Sequence, residues 1–338
     1  MYKRRTFVLR CIISNSKYVI HLPILALFTF ILSTLTGQKQ EHEMSCPFVN
    51  SNSTLPVLER SSNLPSRSIF MYATSCPGNL TARQHCSIES AAITHPEWQI
   101  NVVFTSPTVP SENLTHENFN NVKFWSININ EFCKGTPLGD LIIDVLPKCS
   151  RNRVSISLDV LKYLTLAQWG GIYLDIDMVV AQPLRSLARN WATRESDDTV
   201  GEGVLAFSRD AVGRKLSGIA VNEMQSILCR GDCIHTWQPT VMTKVLKKVC
   251  STPDTLYMSS ATCNGFEIYG PQFFHPIPEV RAIEYFVPGE LSTTNAYTYN
   301  LWDHITKDYK VMRSSPLTKL AKRFCPLTFK MYSDQFGF

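Results

Sequence analysis

An α/β domain built on a mostly parallel sheet is what this sequence predicts. Three observations lead there. From about residue 67 onward, short strand candidates alternate with longer segments of helical periodicity. The chain of 338 residues is 44% hydrophobic and 18% charged, so it holds a sizeable core and is neither disordered nor a multi-span membrane protein. One strand candidate runs straight into a pair of carboxylates, and such sheets bind ligands at the carboxyl ends of their strands.

The elements follow in order. Residues 68–74 (SIFMYAT) read as a first strand. Residues 82–95 read as a helix with Ile88, Ala91, Ala92 and His95 on one side. Residues 99–105 (QINVVFT) and 122–127 give two more strands. Residues 139–146 and 151–169 are helical, 171–174 and 203–208 are strands, and 213–228 and 239–249 are helices. No internal repeat is visible.

The charge is unevenly placed. Lys and Arg total 33 against 28 Asp and Glu, a formal +5. Six of the basic residues lie within positions 1–40, which hold no Asp or Glu, so 27 basic face 28 acidic residues in the remainder. The globular part is near neutral, and no nucleic-acid partner is expected. Residues 18–38 carry no charge and are long enough to span a bilayer as one helix. Basic residues before the run, with Glu41 and Glu43 after it, orient a signal-anchor with its N-terminus cytoplasmic. A cleaved signal peptide is the rival, with Thr34 and Thr36 at a plausible cleavage spacing. Either way the rest of the chain is luminal or exterior. The expected organisation is a tail over 1–17, the anchor over 18–38, a stem rich in Ser, Asn and Pro over 39–66, and a luminal domain over 67–338. Ten cysteines beyond Cys11 form an even set suited to disulfides in an oxidising compartment. Cys229 and Cys233 have zinc-like spacing but no second ligand pair. Sequons at Asn52, Asn79 and Asn113 are glycosylation candidates.

The chemistry concentrates in residues 157–184. Asp159 and Lys162, three residues apart on a helix, face one way. Gly170 and Gly171 end that helix, a strand with Ile172, Tyr173 and Leu174 follows, and then come Asp175-Ile176-Asp177. Two carboxylates at i and i+2 at a buried strand end are costly without a cation between them. A divalent metal is the natural partner, because Mn²⁺ and Mg²⁺ prefer oxygen ligands and bridge to phosphates. That combination suits a nucleotide-sugar diphosphate. A lone Asp-x-Asp is more often a solvated turn; apolar flanks on both sides and the glycine pair argue against that here.

These residues resemble the α-1,4-galactosyltransferase and α-1,4-N-acetylglucosaminyltransferase family. The likeness covers about residues 67–331. It is carried by CSIESAAITHPEW (86–98), TPLGD (136–140), GGIYLDIDMVV (170–180), VLKKVC (245–250), FFHPIP (273–278) and Cys325-Pro326. The resemblance implies a type II Golgi membrane enzyme of the GT-A nucleotide-sugar-binding fold. It implies Mn²⁺ or another divalent metal, a UDP-sugar donor, a glycolipid or glycan acceptor, and an α-1,4 link formed with retention. Asp175 and Asp177 are then the catalytic and metal-binding pair. Asp159, Lys162, Tyr173 and Trp302 belong to the nucleotide-sugar site, and Asn300 is the third metal ligand.

The chain departs from the family at several of these places. Lys162 stands where Arg is usual, Asn300-Leu301-Trp302 replaces His-x-Trp, Ala73-Thr74 replaces Glu-Thr, and Gln238-Pro239 replaces Gly-Pro. Lys cannot make the bidentate contact of Arg. Asn still offers a carbonyl oxygen. Glu202-Gly203 lies near a family Asn-Gly/Ala segment and could bring a carboxylate to the anomeric carbon. His95 and His275 adjoin Pro and apolar residues and read as structural. His235 and Trp237 could face acceptor sugar, and Lys244, Lys247 and Lys248 form a solvated helix face. Three readings stand: a galactosyltransferase, with N-acetylgalactosamine or N-acetylglucosamine donors open; a catalytically weakened paralogue that binds a partner; and an adhesion module, which leaves the carboxylate pair unexplained.

Overall fold

The computed structural model describes residues 55–73, 80–105, 119–149, 153–230, 240–291, 295–333 and 336. The expected tail, anchor and sequons, and Cys11, Cys46, Cys76, Cys233, His235, Trp237 and Gln238-Pro239, lie outside them. Among the described residues no helix is long and apolar enough to cross a membrane.

The α/β expectation is met. Strands β1 (Ser68–Ala73), β2 (Gln99–Phe104), β3 (Val122–Ser126), β4 (Gly171–Leu174), β6 (Trp191–Arg194), β7 (Val200–Phe207) and β8 (Glu267–Tyr269) form one sheet in the order β3-β2-β1-β4-β7-β6-β8. β1 runs parallel to β2 and β4, β2 to β3, and β6 to β8. β7 is antiparallel to both its neighbours, so the sheet is mixed. A short second sheet pairs β5 (Met178–Val180) with β9 (Thr298–Asn300) in antiparallel fashion.

Period-two alternation places Phe70, Tyr72, Val103, Tyr173, Leu205 and Phe207 on one face of the large sheet. Ile69, Met71, Ala73, Val102, Leu174 and Val204 face the other way, and both sets are buried. The first face is covered by α3 (Gly139–Val145), α4 (Arg153–Trp169), α5 (Ala211–Cys229) and α6 (Val241–Val249), and the second by α1 (Ala82–Thr94). A short α2 (Ile129–Cys133) precedes α3. α4 buries residues around most of its circumference, which suits a helix held inside the core.

A third cluster gathers the C-terminal part. It includes α8 (Pro316–Phe324), Val179 of β5, and Trp302, which precedes the single turn α7 (Asp303–Thr306). The Cys86–Cys325 disulfide, spanning 239 residues, ties this part to α1. Beside it, the fully buried Glu89 accepts the N–H of Leu327 at 2.8 Å and of Thr328 at 2.6 Å. These are first-turn donors of α9 (Pro326–Tyr332), where a negative charge is favoured.

Several elements differ from the sequence reading. β7 begins at Val200, not residue 203, because Thr193 and Arg194 pair with Gly201 and Val200 in a stretch too glycine-rich to show a strand pattern. β5, β8 and β9 are three residues each, too short for a period to register. The end of the expected stem is folded onto the domain: Leu58 and Leu64 are buried, and Leu58 N–H donates to the Ser126 carbonyl. Cys250 pairs with Cys263, and Cys149 is also disulfide-bonded. Cys133 keeps a free thiol that burial pushes up to about 12, so the even set does not pair completely.

His95 is a structural joint, as its setting suggested. Its Nε2 accepts the Leu184 N–H at 2.9 Å and its Nδ1–H donates to the Ala91 carbonyl at 3.1 Å. Burial draws its pKa down to about 4, against 6.5 for an exposed imidazole. Unfolding lets the ring take a proton below pH 6.5, so its contribution is complete above that pH and lost as pH falls toward 4. His95→Gln should cost about 1–3 kcal/mol at pH 7.5 and distinctly less at pH 5. Denaturant titration at the two pH values, disulfides intact, checks both.

Candidate active site

The Asp175-Ile176-Asp177 segment is the crossing from the large sheet to the small one. β4 ends at Leu174, and Asp175 N–H donates to the Gly203 carbonyl on β7 at 2.8 Å. Met178 N–H returns to the Asp175 carbonyl at 3.2 Å, and β5 begins there, with Met178 opposite Asn300 of β9. Both carboxylates are therefore fixed by strands on either side. A Cβ added to Gly203 would lie 2.7 Å from Asp175 Oδ2 and 2.9 Å from Met178 Cε. Only glycine lets β7 pass so close.

Asp175 and Asp177 have different partners. Tyr173 donates its hydroxyl to Asp175 Oδ1 at 2.5 Å. Asp177 receives the Leu301 N–H on its carbonyl at 3.1 Å and the Asp303 N–H on Oδ2 at 2.8 Å. Trp302, between those two, adopts a left-handed conformation with φ +56°, which turns the chain back so that Asp303 N–H reaches the carboxylate. Asp303 in turn pairs with Arg83 of α1 at 3.3 Å.

Lys162 lies beneath this crossing, 4% exposed. Its Nζ is 2.9 Å from Asp159 Oδ1 and 3.3 Å from Glu202 Oε2, and 5.1 Å from the Tyr173 ring centroid. Glu202 Oε1 also accepts the Met242 N–H at the start of α6, at 2.8 Å. Burial alone would discharge Lys162, but Asp159, Glu202 and Asp175 together hold its pKa above the ordinary lysine value.

The site carries an excess of negative charge. Burial raises the pKa of Asp175, against the pull of Lys162 and the Tyr173 hydroxyl. Burial also raises Asp177, and the charges of Asp175 and Asp303 add to that. Glu195, at the end of β6, is raised by burial and by Glu279 and Glu202. Such a group of carboxylates fits a divalent cation, which would hold their charges apart from protons.

The donor set fits such a cation. Carboxylate oxygens of Asp175 and Asp177 and the Asn300 carbonyl are hard ligands of the kind Mn²⁺ and Mg²⁺ take. Asn300 Oδ1 accepts the Trp302 N–H at 2.9 Å, which leaves one lone pair. The missing side chain of Gly203 leaves the Asp175 carboxylate room against β7, beside Met178 Cε. Among the described residues, no three His, Cys, Asp or Glu side chains form a ready-made metal cluster. A cation would complete its shell with Asn300, water or ligand oxygens.

The structure thus brings together Asp159, Lys162, Tyr173, Asp175 and Asp177, and sets Asn300 and Trp302 on the adjoining strand end. Trp302 is 5% exposed, with its indole N–H on the Ile277 carbonyl at 2.9 Å and its ring 5.5 Å from that of His275. Ala73 ends β1 as a fully buried residue. The sequence reading missed Arg83, Glu195 and Asp303. Asp303 follows directly on Asn300-Leu301-Trp302 and could have been noticed there; Arg83 and Glu195 carry no local signal.

Lys162 is the lone described cation in contact with both Asp159 and Glu202. Lys162→Met should destabilise the fold by about 3–5 kcal/mol, since it removes the buried cation that two carboxylates share, whereas Lys162→Arg should retain most of that stability. Denaturant titrations of the two variants check this.

A family model described as an alpha 1,4-glycosyltransferase conserved region matches residues 214–332, and one described as a glycosyltransferase sugar-binding region containing a DXD motif matches residues 81–196. The human lactosylceramide 4-alpha-galactosyltransferase is 28% identical over 293 residues, covering 78% of this chain and 78% of the relative. The human alpha-1,4-N-acetylglucosaminyltransferase is 25% identical over 270 residues, covering 72% and 74%. Among solved structures, the galactosyltransferase LgtC in complex with donor and acceptor sugar analogs has a TM-score of 0.35 at 14% identity, covering 62% of this chain and 76% of that one. Asp175 and Asp177 fall inside the DXD-containing region, and Asn300, Trp302 and Asp303 inside the conserved region. With both regions matched in order along residues 81–332, the chain is a glycosyltransferase similar to the alpha 1,4-glycosyltransferases.

Proposed function

We propose that this glycosyltransferase moves a hexose, galactose first among the candidates, from a UDP-sugar to a glycolipid or glycan acceptor, forming an α-1,4 link with retention. The observation that carries this is the Asp175–Asp177 pair, fixed at the crossing between two sheets with more negative charge than Lys162 and Arg83 offset. The galactose donor and a lactosylceramide-like acceptor rest on the names of the relatives. N-acetylgalactosamine and N-acetylglucosamine donors are the alternatives, since single pocket contacts choose among them. A Golgi type II topology, with the GT-A fold on the luminal side, rests on the apolar run at 18–38 and the basic residues before it.

In this reading Asp175, Asp177 and Asn300 hold a divalent metal, Mn²⁺ first, which when bound neutralises charge on the departing diphosphate. Tyr173 orients Asp175 through its hydroxyl. The Asp303 N–H fixes Asp177 in one rotamer. Asp159 is placed to accept from donor-sugar hydroxyls, and Lys162 supplies positive charge under the crossing while holding Asp159 and Glu202 in register. Trp302 shapes the wall beside Asp177. Glu202, spent on Lys162 and on the Met242 N–H, is a positioning residue rather than a nucleophile at the anomeric carbon.

One observation favours a second reading, a catalytically weakened paralogue. The ammonium of Lys162 is already shared between two carboxylates, which leaves less of its charge for a diphosphate.

The test is product analysis by mass spectrometry, using the full chain in detergent with lactosylceramide and UDP-galactose, UDP-N-acetylgalactosamine or UDP-N-acetylglucosamine. Transfer with Mn²⁺ that stops with EDTA is expected for one donor. Asp177→Asn should lower kcat about 100-fold or more, by removing a charge that acts on the developing diphosphate. No turnover of any donor would favour the weakened paralogue, and full activity of Asp177→Asn would overturn the assigned site.

A further inference from the structure

His275 is buried, at 4% exposure, in a stretch where the sequence suggested a structural role. Its two ring nitrogens have different settings. Nδ1 lies 3.5 Å from Asn300 Nδ2. The Trp302 N–H donates to Asn300 Oδ1, which fixes the orientation of that amide. Nδ2 is therefore the group facing the ring, and Nδ1 must be the acceptor. The proton of the neutral imidazole then sits on Nε2. That N–H is buried and has no hydrogen-bond partner. An orphaned donor at such a depth is costly and calls for a partner absent from the folded chain.

The surroundings say what the partner is. A Cβ built on Gly201 would come within 3.3 Å of Glu195 Oε2 and 3.5 Å of His275 Nε2. Both groups therefore converge on the bare backbone of Gly201, two residues along β7 from Gly203, which makes room for Asp175. Glu195 is half-buried, and its carboxylate accepts no hydrogen bond among the described residues. The gap thus offers one N–H donor and one carboxylate acceptor over β7, two residues from the glycine that Asp175 packs against. A hydroxyl group is the chemistry that satisfies both, because it donates once and accepts as well.

We propose that Glu195 and His275 form a hydroxyl-binding subsite over Gly201, in which a sugar hydroxyl donates to the Glu195 carboxylate and accepts from His275 Nε2–H. Asn300 then serves a second end: by holding Nδ1 of His275 it fixes the tautomer that recognition requires. The assignment rests on the glycosyltransferase reading of the site. The hydroxyl belongs either to the donor hexose or to the acceptor sugar.

The experiment uses the full chain in detergent, with Mn²⁺. Donor hydrolysis without acceptor gives the KM for UDP-galactose, and transfer at saturating donor gives the KM for the acceptor. Singly deoxygenated analogues of each sugar are compared with their parents. Wild type should reject one analogue by about 100-fold or more in kcat/KM, because removing its hydroxyl leaves His275 Nε2–H and the Glu195 carboxylate unpaired. His275→Phe and Glu195→Ala should each raise one KM about 10-fold and lose that discrimination. An effect in hydrolysis places the hydroxyl on the donor; an effect in the acceptor KM alone places it on the acceptor. Gly201→Ala removes no polar group but fills the gap, and should raise the same KM, so the idea stays testable if a His275 variant fails to fold. Folded variants with both KM values within about 2-fold of wild type, and unchanged discrimination, would overturn the subsite alone. A wild type that turns over none of UDP-galactose, UDP-N-acetylgalactosamine and UDP-N-acetylglucosamine would overturn both the subsite and the reading beneath it.

Discussion

The carboxylates of Asp175 and Asp177 are held two residues apart where neither is well hydrated, and burial together with the charge of Asp175 makes Asp177 harder to ionise. That repulsion has to be met by something close by. Part of the answer is local: the Tyr173 hydroxyl on Asp175 and the Asp303 N–H on Asp177. Part is more distant: Lys162 from α4, itself held charged by Asp159 and Glu202. These partners leave an excess of negative charge, and the proposed divalent cation with its diphosphate is what would offset it.

The fold can be understood from this constraint. The large sheet supplies β4 and the close passage of β7, which fix Asp175. Asp177 depends on a different part of the chain, the β9 strand and the left-handed turn at Trp302. The two carboxylates therefore keep their spacing only if the C-terminal part is anchored to the sheet domain. The Cys86–Cys325 disulfide, the Arg83–Asp303 pair and the Glu89 cap on α9 all join α1 to that part. None of them touches the carboxylates of the crossing except through Asp303, yet each limits how far Asp303 N–H can drift from Asp177.

The main sheet was legible because β1, β2 and β4 are short, mostly apolar segments and long helices flank them. The carboxylate pair was legible for the same reason, since its apolar flanks marked it as something other than a surface turn. What escaped notice was brought together only by folding. β5 and β9 are three residues each, and their pairing joins positions 178 and 300 with no signal at either end. Arg83 and Glu195 look like ordinary helix and strand-end charges until α1 and β6 bring them to the site. His275 was read as structural from its Pro and apolar neighbours, and burial agrees. Its unpartnered Nε2 could be seen only once Asn300 and Gly201 were in place.

The most direct test of this account is whether the half-buried carboxylate pair binds a nucleoside diphosphate only through a divalent cation. Isothermal titration of the full chain in detergent with UDP, with and without Mn²⁺, measures it. The account predicts a saturable heat with Mn²⁺, none that saturates with EDTA, and loss of the Mn²⁺-dependent heat in Asp177→Asn. UDP binding of equal strength with Mn²⁺ and with EDTA, or undiminished in that variant, would contradict it.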